Sequence, residues 1–145
     1  MSEFKDNKDF FLKEIELIQN IISRMASNSF LVKGWAVTLV VATLLLDGKS
    51  VRVYISFIPL LLFWFLDAYF LWQERLYRKL YDWVISNRMK TDENLFNLNA
   101  YRFKGEVQSK WRIMFSTTLG CFYGLIGILI VIYSVILSRS YPGGR

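Results

Sequence analysis

Three apolar runs divide the chain: Phe30 to Leu46, Val53 to Trp72 and Ile113 to Leu137. Runs of about 17 to 25 mostly apolar residues are long enough to cross a bilayer as helices. The pattern predicts an all-α membrane protein with three transmembrane helices at 30–46, 53–72 and 113–137. Polar stretches flank them: an amphipathic segment at 1–29, a turn at 47–52, a long segment at 73–112 and a tail at 138–145. None of these is long enough to bury a sizeable core of its own.

The polar segments carry helical periodicity. Phe11, Ile15, Ile18, Ile22 and Met25 recur at three- and four-residue steps, which places them on one face of a helix. No Gly or Pro interrupts residues 1–33, so this helix is expected to run unbroken into the first span. The alternative is a turn at Ser27-Asn28-Ser29, whose side chains compete for backbone hydrogen bonds; the helix would then lie flat on the membrane. Beyond the second span, Leu76, Leu80, Trp83 and Val84 keep an apolar stripe, so the second helix is expected to reach Asn87. The first two helices would then extend from the membrane as an antiparallel pair. Pro59 is expected to kink the second span slightly. Asp47-Gly48-Lys49-Ser50 reads as a tight turn. Residues 90–105 read as irregular, a new helix is expected near Glu106, and the tail from Ser140 is expected to be disordered.

Two of the spans carry one full charge each. Lys33 lies about three residues inside the first span and Asp67 about five residues inside the end of the second. At 1.5 Å per residue these are depths of roughly 5 and 8 Å from the same membrane face. An ionisable group at such a depth is normally paired or functional. The favoured reading is a Lys33–Asp67 ion pair that fixes how the first two helices face each other. Independent snorkelling and a proton or ion pathway are the alternatives. Arg24 and Glu74 lie at matching heights outside this pair and are expected to continue it as a salt bridge.

The net charge of +6 is distributed in a way that points to lipid and away from nucleic acid. Residues 1–29 and 73–112 together hold thirteen Lys and Arg; the 47–52 turn and the tail hold four. The positive-inside rule puts the N-terminus and 73–112 in the cytoplasm and the C-terminus outside. With no signal-peptide cleavage site evident, the first span is expected to act as an uncleaved anchor in the inner membrane. Arg75, Arg78 and Lys79 lie where headgroups or a partner would contact them. The chain has no histidine and one cysteine. That removes the commonest general base and metal ligand, and no catalytic or phosphate-binding motif is present. An enzyme is not expected, nor a cofactor or metal. Cys121, inside the third span, reads as a small packing residue.

The third span carries Ser116, Gly120 and Gly124 at four-residue spacing, with Gly127 close by. Small residues at this spacing let helices approach closely. The face serves either other helices of the same chain or a second copy.

The stretches Ile18–Trp35 and Phe63–Tyr81 resemble segments of small multi-helix bacterial membrane proteins associated with anti-phage defence loci. The resemblance implies an effector that perturbs the inner membrane when triggered by a soluble sensor protein or a nucleotide signal; it transfers no binding residue. The expected function is therefore a homo-oligomeric membrane effector. The alternatives are a non-enzymatic anchor or scaffold for a soluble cytoplasmic partner, and a small channel or transporter using Lys33 and Asp67.

Overall fold

In the computed structural model, residues 2–45, 50–88 and 95–140 are described, with side chains for 8–45, 53–88 and 95–139. All regular structure among them is helical. Helix α1 runs from Ser2 to Leu45 and α2 from Ser50 to Ile55. Helix α3 covers Phe57–Asn87, a 3₁₀ turn covers Ala100–Phe103, α4 covers Lys110–Met114 and α5 covers Thr117–Ser140. Three stretches are long and apolar enough to cross a membrane: Lys8–Leu45, Val53–Asn87 and Thr117–Arg139. The expected turn at 47–49, the start of the irregular stretch at 90–94 and the tail at 141–145 lie outside the described residues.

Helix α1 is continuous through Ser27-Asn28-Ser29. Its 44 residues make a rod of about 66 Å. The Ser29 hydroxyl is bonded to Asp67 of another helix, so it does not compete with the α1 backbone as a local turn would require.

The second span carries its disturbance one turn before Pro59. It is interrupted at Ser56, between α2 and α3, and Pro59 sits in the first turn of α3. A proline has no N–H to donate and its ring clashes with the carbonyl four residues back, here Ile55. The break three residues earlier removes that conflict, because first-turn N–H groups lack intrahelical partners anyway. Ser56 is buried, and its hydroxyl donates to the Val53 carbonyl.

The third span differs from expectation. No helix begins near Glu106. The segment from Ala100 to Gln108 lies along α3 instead, and the helix is broken at Phe115–Ser116 between α4 and α5. Asn99 caps the 3₁₀ turn by accepting from the Tyr101 N–H, and Ser109 caps α4 by accepting from the Arg112 N–H.

The principal interface is between α1 and α3. Glu14 meets Arg88, Gln19 meets Tyr81 and Lys33 meets Asp67. Residue numbers rise along α1 as they fall along α3. Ile18, Val32, Ala36 and Val40 of α1 are buried, as are Leu60, Ala68, Trp72, Leu76, Leu80 and Val84 of α3. Leu119, Tyr123 and Ile130 are the buried apolar side chains of α5. Phe122, Ile126 and Leu137 are partly buried against the core, whereas Leu125, Ile128, Leu129, Val131, Ile132, Val135 and Ile136 are exposed.

Candidate functional site: a buried carboxylate between three helices

Asp67 is fully buried. Small residues near it, Ala36 on α1 and Ala68 on α3, are buried as well, and side chains of that size let helices approach closely. Lys33 Nζ is 2.7 Å from Asp67 Oδ2. The Ser29 hydroxyl donates to Oδ1, and Lys33 Nζ also donates to Ser29 Oγ at 3.0 Å. Ser29 and Lys33 are four residues apart and so share one face of α1. From α5, the Tyr123 hydroxyl lies 3.1 Å from Asp67 Oδ2 and 3.3 Å from the Phe63 carbonyl oxygen. Its single proton is best placed on the carboxylate, the stronger acceptor. The carboxylate thus has three donors from two helices other than its own. A charge taken out of water is tolerable only with such pairing.

Trp64 completes this site. Its ring stacks on Tyr123 with centroids 5.8 Å apart, and its Nε1 donates to the Met114 carbonyl oxygen at 2.8 Å. The kink at Phe115–Ser116 and the position of Tyr123 are therefore both tied to α3.

A second buried pair lies at the far end of the α1–α3 interface. Arg88 Nε and Nη2 donate to the two oxygens of Glu14, each at 2.6 Å. Side-chain exposures are 4 % for Arg88 and 1 % for Glu14. Arg102 covers the Trp83 ring, 4.2 Å from its centroid. Burial and the neighbouring Arg88 charge pull its pKa below the usual arginine value, while Glu14 opposes this. Sequence reasoning missed this pair, although a signal existed. Glu14 is four residues before the stripe residue Ile18 and so occupies a core position of the helix.

The other expected site residues are distributed as follows. Arg24 does not reach Glu74. Arg24 is exposed and makes no ion pair among the described residues, whereas Glu74 binds Arg78 at 2.7 Å. Matching heights were not enough, because Arg24 projects from a face of α1 adjacent to the buried one. Lys79 is 3.7 Å from Glu106, and Arg75 donates to Gln108 at 3.1 Å. On α5 the small residues divide. A Cβ at Gly127 would touch Leu60 at 3.7 Å, one at Gly120 would be 3.9 Å from the Phe115 backbone, and one at Gly124 would meet nothing within 4 Å. Ser116 precedes α5 and its hydroxyl is buried without a partner. Cys121 is exposed and does not pack inside the chain as expected.

Together the fold and site define an all-helical chain with three helices long and apolar enough to span a membrane, clamped by two buried ion pairs. Comparison with family models, curated proteins and solved structures gave no match.

Proposed function

We propose that the chain is an integral inner-membrane effector that oligomerises and perturbs membrane integrity on receiving a cytoplasmic signal, as in anti-phage defence. Its α1–α3 pair is antiparallel, with the Lys33–Asp67 end in the bilayer and the Glu14–Arg88 end in the cytoplasm. The C-terminus is outside. The observation that carries this reading is the open face of α5. A Cβ at Gly124 would meet nothing within 4 Å, and most of the apolar side chains around the helix are exposed. Such a surface is too large and too apolar for water; lipid and a second copy suit it. Three spans are too few to enclose a water-filled path, so a lesion needs several copies. The trigger is a soluble sensor protein or a nucleotide signal acting on the cytoplasmic extension.

The test is Gly120→Leu with Gly124→Leu. A Cβ at Gly124 meets nothing within 4 Å in the single chain, so the added bulk there falls chiefly on a partner helix. The double variant should insert normally, lose its oligomer and no longer depolarise cells when overproduced. Unchanged oligomer size and unchanged membrane potential would remove the effector mechanism.

A scaffold function is the second reading. It is supported by an exposed apolar tip at the distal end of the extension, where Phe10 and Phe96 meet edge to face at 6.1 Å. A channel or transporter using Lys33 and Asp67 is the weakest reading. The carboxylate already has three donors and no exposed surface, which suits a clamp better than a pathway.

A further inference from the structure

The basic residues near the start of α4 fall into two groups. Arg78 and Lys79 are neutralised by Glu74 and Glu106. Arg75, Lys110 and Arg112 have no carboxylate partner among the described residues. Arg75 bonds only the neutral amide of Gln108. Lys110 Nζ rests over two rings, 4.5 Å from the Trp72 centroid and 5.1 Å from that of Tyr69. The Arg112 side chain is exposed; what is held is its backbone N–H, by Ser109 Oγ.

These cations border an exposed aromatic belt. Trp111 is 65 % and Phe115 67 % exposed, and Trp111 packs on the half-exposed Phe65 at 6.3 Å. Rings of this kind favour the membrane–water interface. The chain therefore presents uncompensated positive charge directly beside rings suited to the headgroup level. Guanidinium groups bind phosphate oxygens bidentately, and stacking on two rings leaves the N–H groups of Lys110 that point away from the rings available.

We infer that Arg75, Lys110 and Arg112 form a binding site for the phosphate of an anionic phospholipid, with Trp111 and Phe115 against its glycerol and upper acyl region. The inference rests on the membrane reading above, and it moves the headgroup contact away from Arg78 and Lys79. The rings favour a lipid over a free anion, since inorganic phosphate has no apolar part to cover them.

The experiment uses the full chain in phosphatidylcholine bilayers carrying trace spin-labelled phosphatidylglycerol or spin-labelled phosphatidylcholine. The wild type should hold phosphatidylglycerol in preference. Each cation near a headgroup contributes about fivefold, so R75Q/K110Q/R112Q should lose nearly all of that preference. R78Q/K79Q should keep it, and the charge-conserving R75K/K110R/R112K should fall between the two, since a lysine supplies the charge but not the bidentate guanidinium contact. Helical content measured by circular dichroism must match the wild type in all three. Retention of the preference by the triple Gln variant, or equal loss in R78Q/K79Q, would overturn the site. So would displacement of the labelled lipid by millimolar inorganic phosphate. Release of the protein by alkaline carbonate would overturn the membrane reading and this site together, whereas a carbonate-resistant protein with no lipid preference overturns the site alone.

Discussion

Glu14 and Arg88, seventy-four positions apart, are joined by two parallel hydrogen bonds in a site from which water is almost excluded. This pair, together with Lys33–Asp67, ties α1 to α3 at two levels. Between them lies an apolar interface of Ile18, Leu76, Leu80 and Val84. The apolar contacts are non-directional, so they fix neither the axial register nor the rotation of one helix against the other. The two charged pairs select one register, because a shift by one turn would separate both of them.

Removing one member of the Glu14–Arg88 pair should be costly. Glu14→Ala or Arg88→Ala is expected to destabilise by about 3–5 kcal/mol, because each removes the opposite charge from a group held out of water. Glu14→Leu combined with Arg88→Met should recover most of that loss. Thermal unfolding in detergent micelles measures both. A cost under about 1 kcal/mol for either single change is the value expected of an exposed pair and would contradict the burial.

The Asp67 cluster should show strong coupling. Asp67→Ala and Lys33→Ala are each expected to destabilise, and the double variant should be milder than the sum by about 0.5–3 kcal/mol. Strict additivity would exclude direct pairing.

Tyr123→Phe separates the third helix's share of that cluster. In the wild-type background it should cost about 1 kcal/mol, a typical net value for one hydrogen bond, and more if the carboxylate is left short of a donor. In an Asp67→Ala background the cost should fall close to zero. An equal cost in both backgrounds would assign the tyrosine's role to ring packing against Trp64 alone.

Topology is open to a direct test. Thirteen basic residues against four predict a C-terminus outside the cytoplasm. A reporter active only in the periplasm, fused after Arg145, should be active. A cytoplasmic reporter at the same point should be silent, and the opposite pattern would require a different number of crossings or an inverted N-terminus.

Phe96 carries a left-handed backbone, φ 56°, unfavourable for a residue with a Cβ by about 1–2 kcal/mol. Its ring gains about 0.5–1.5 kcal/mol from the edge-to-face contact with Phe10. Phe96→Gly removes both effects and should leave stability within about 1 kcal/mol of wild type. If the tip docks a partner, binding should nonetheless be lost. Intact partner binding in this variant would count against the scaffold reading.

The sequence by itself determined the three apolar helices, because span length and hydropathy are local properties. It also determined the axial position of each charge within its apolar run: on a helix of fixed rise, position counted from the end of the run is distance along the axis. That is why Lys33 and Asp67 could be matched before any contact was known, and Ser29, one turn from Lys33 on the same face, was within reach of the same reasoning. Position along an axis says nothing of rotation about it in a partner helix. Arg24 and Glu74 share a height, yet Arg24 projects outward and Glu74 is taken by Arg78. Tyr123 was illegible for a related reason. It is one of several aromatics in a uniformly apolar helix, and only the packing of α5 on α3 turns its hydroxyl toward Asp67. Pro59 marked a disturbance of the second span, which the chain takes up at Ser56, three residues earlier. Tertiary structure decided which faces meet, and with them which charges are buried, because a rotation is settled by many side chains acting together and is written in none of them singly.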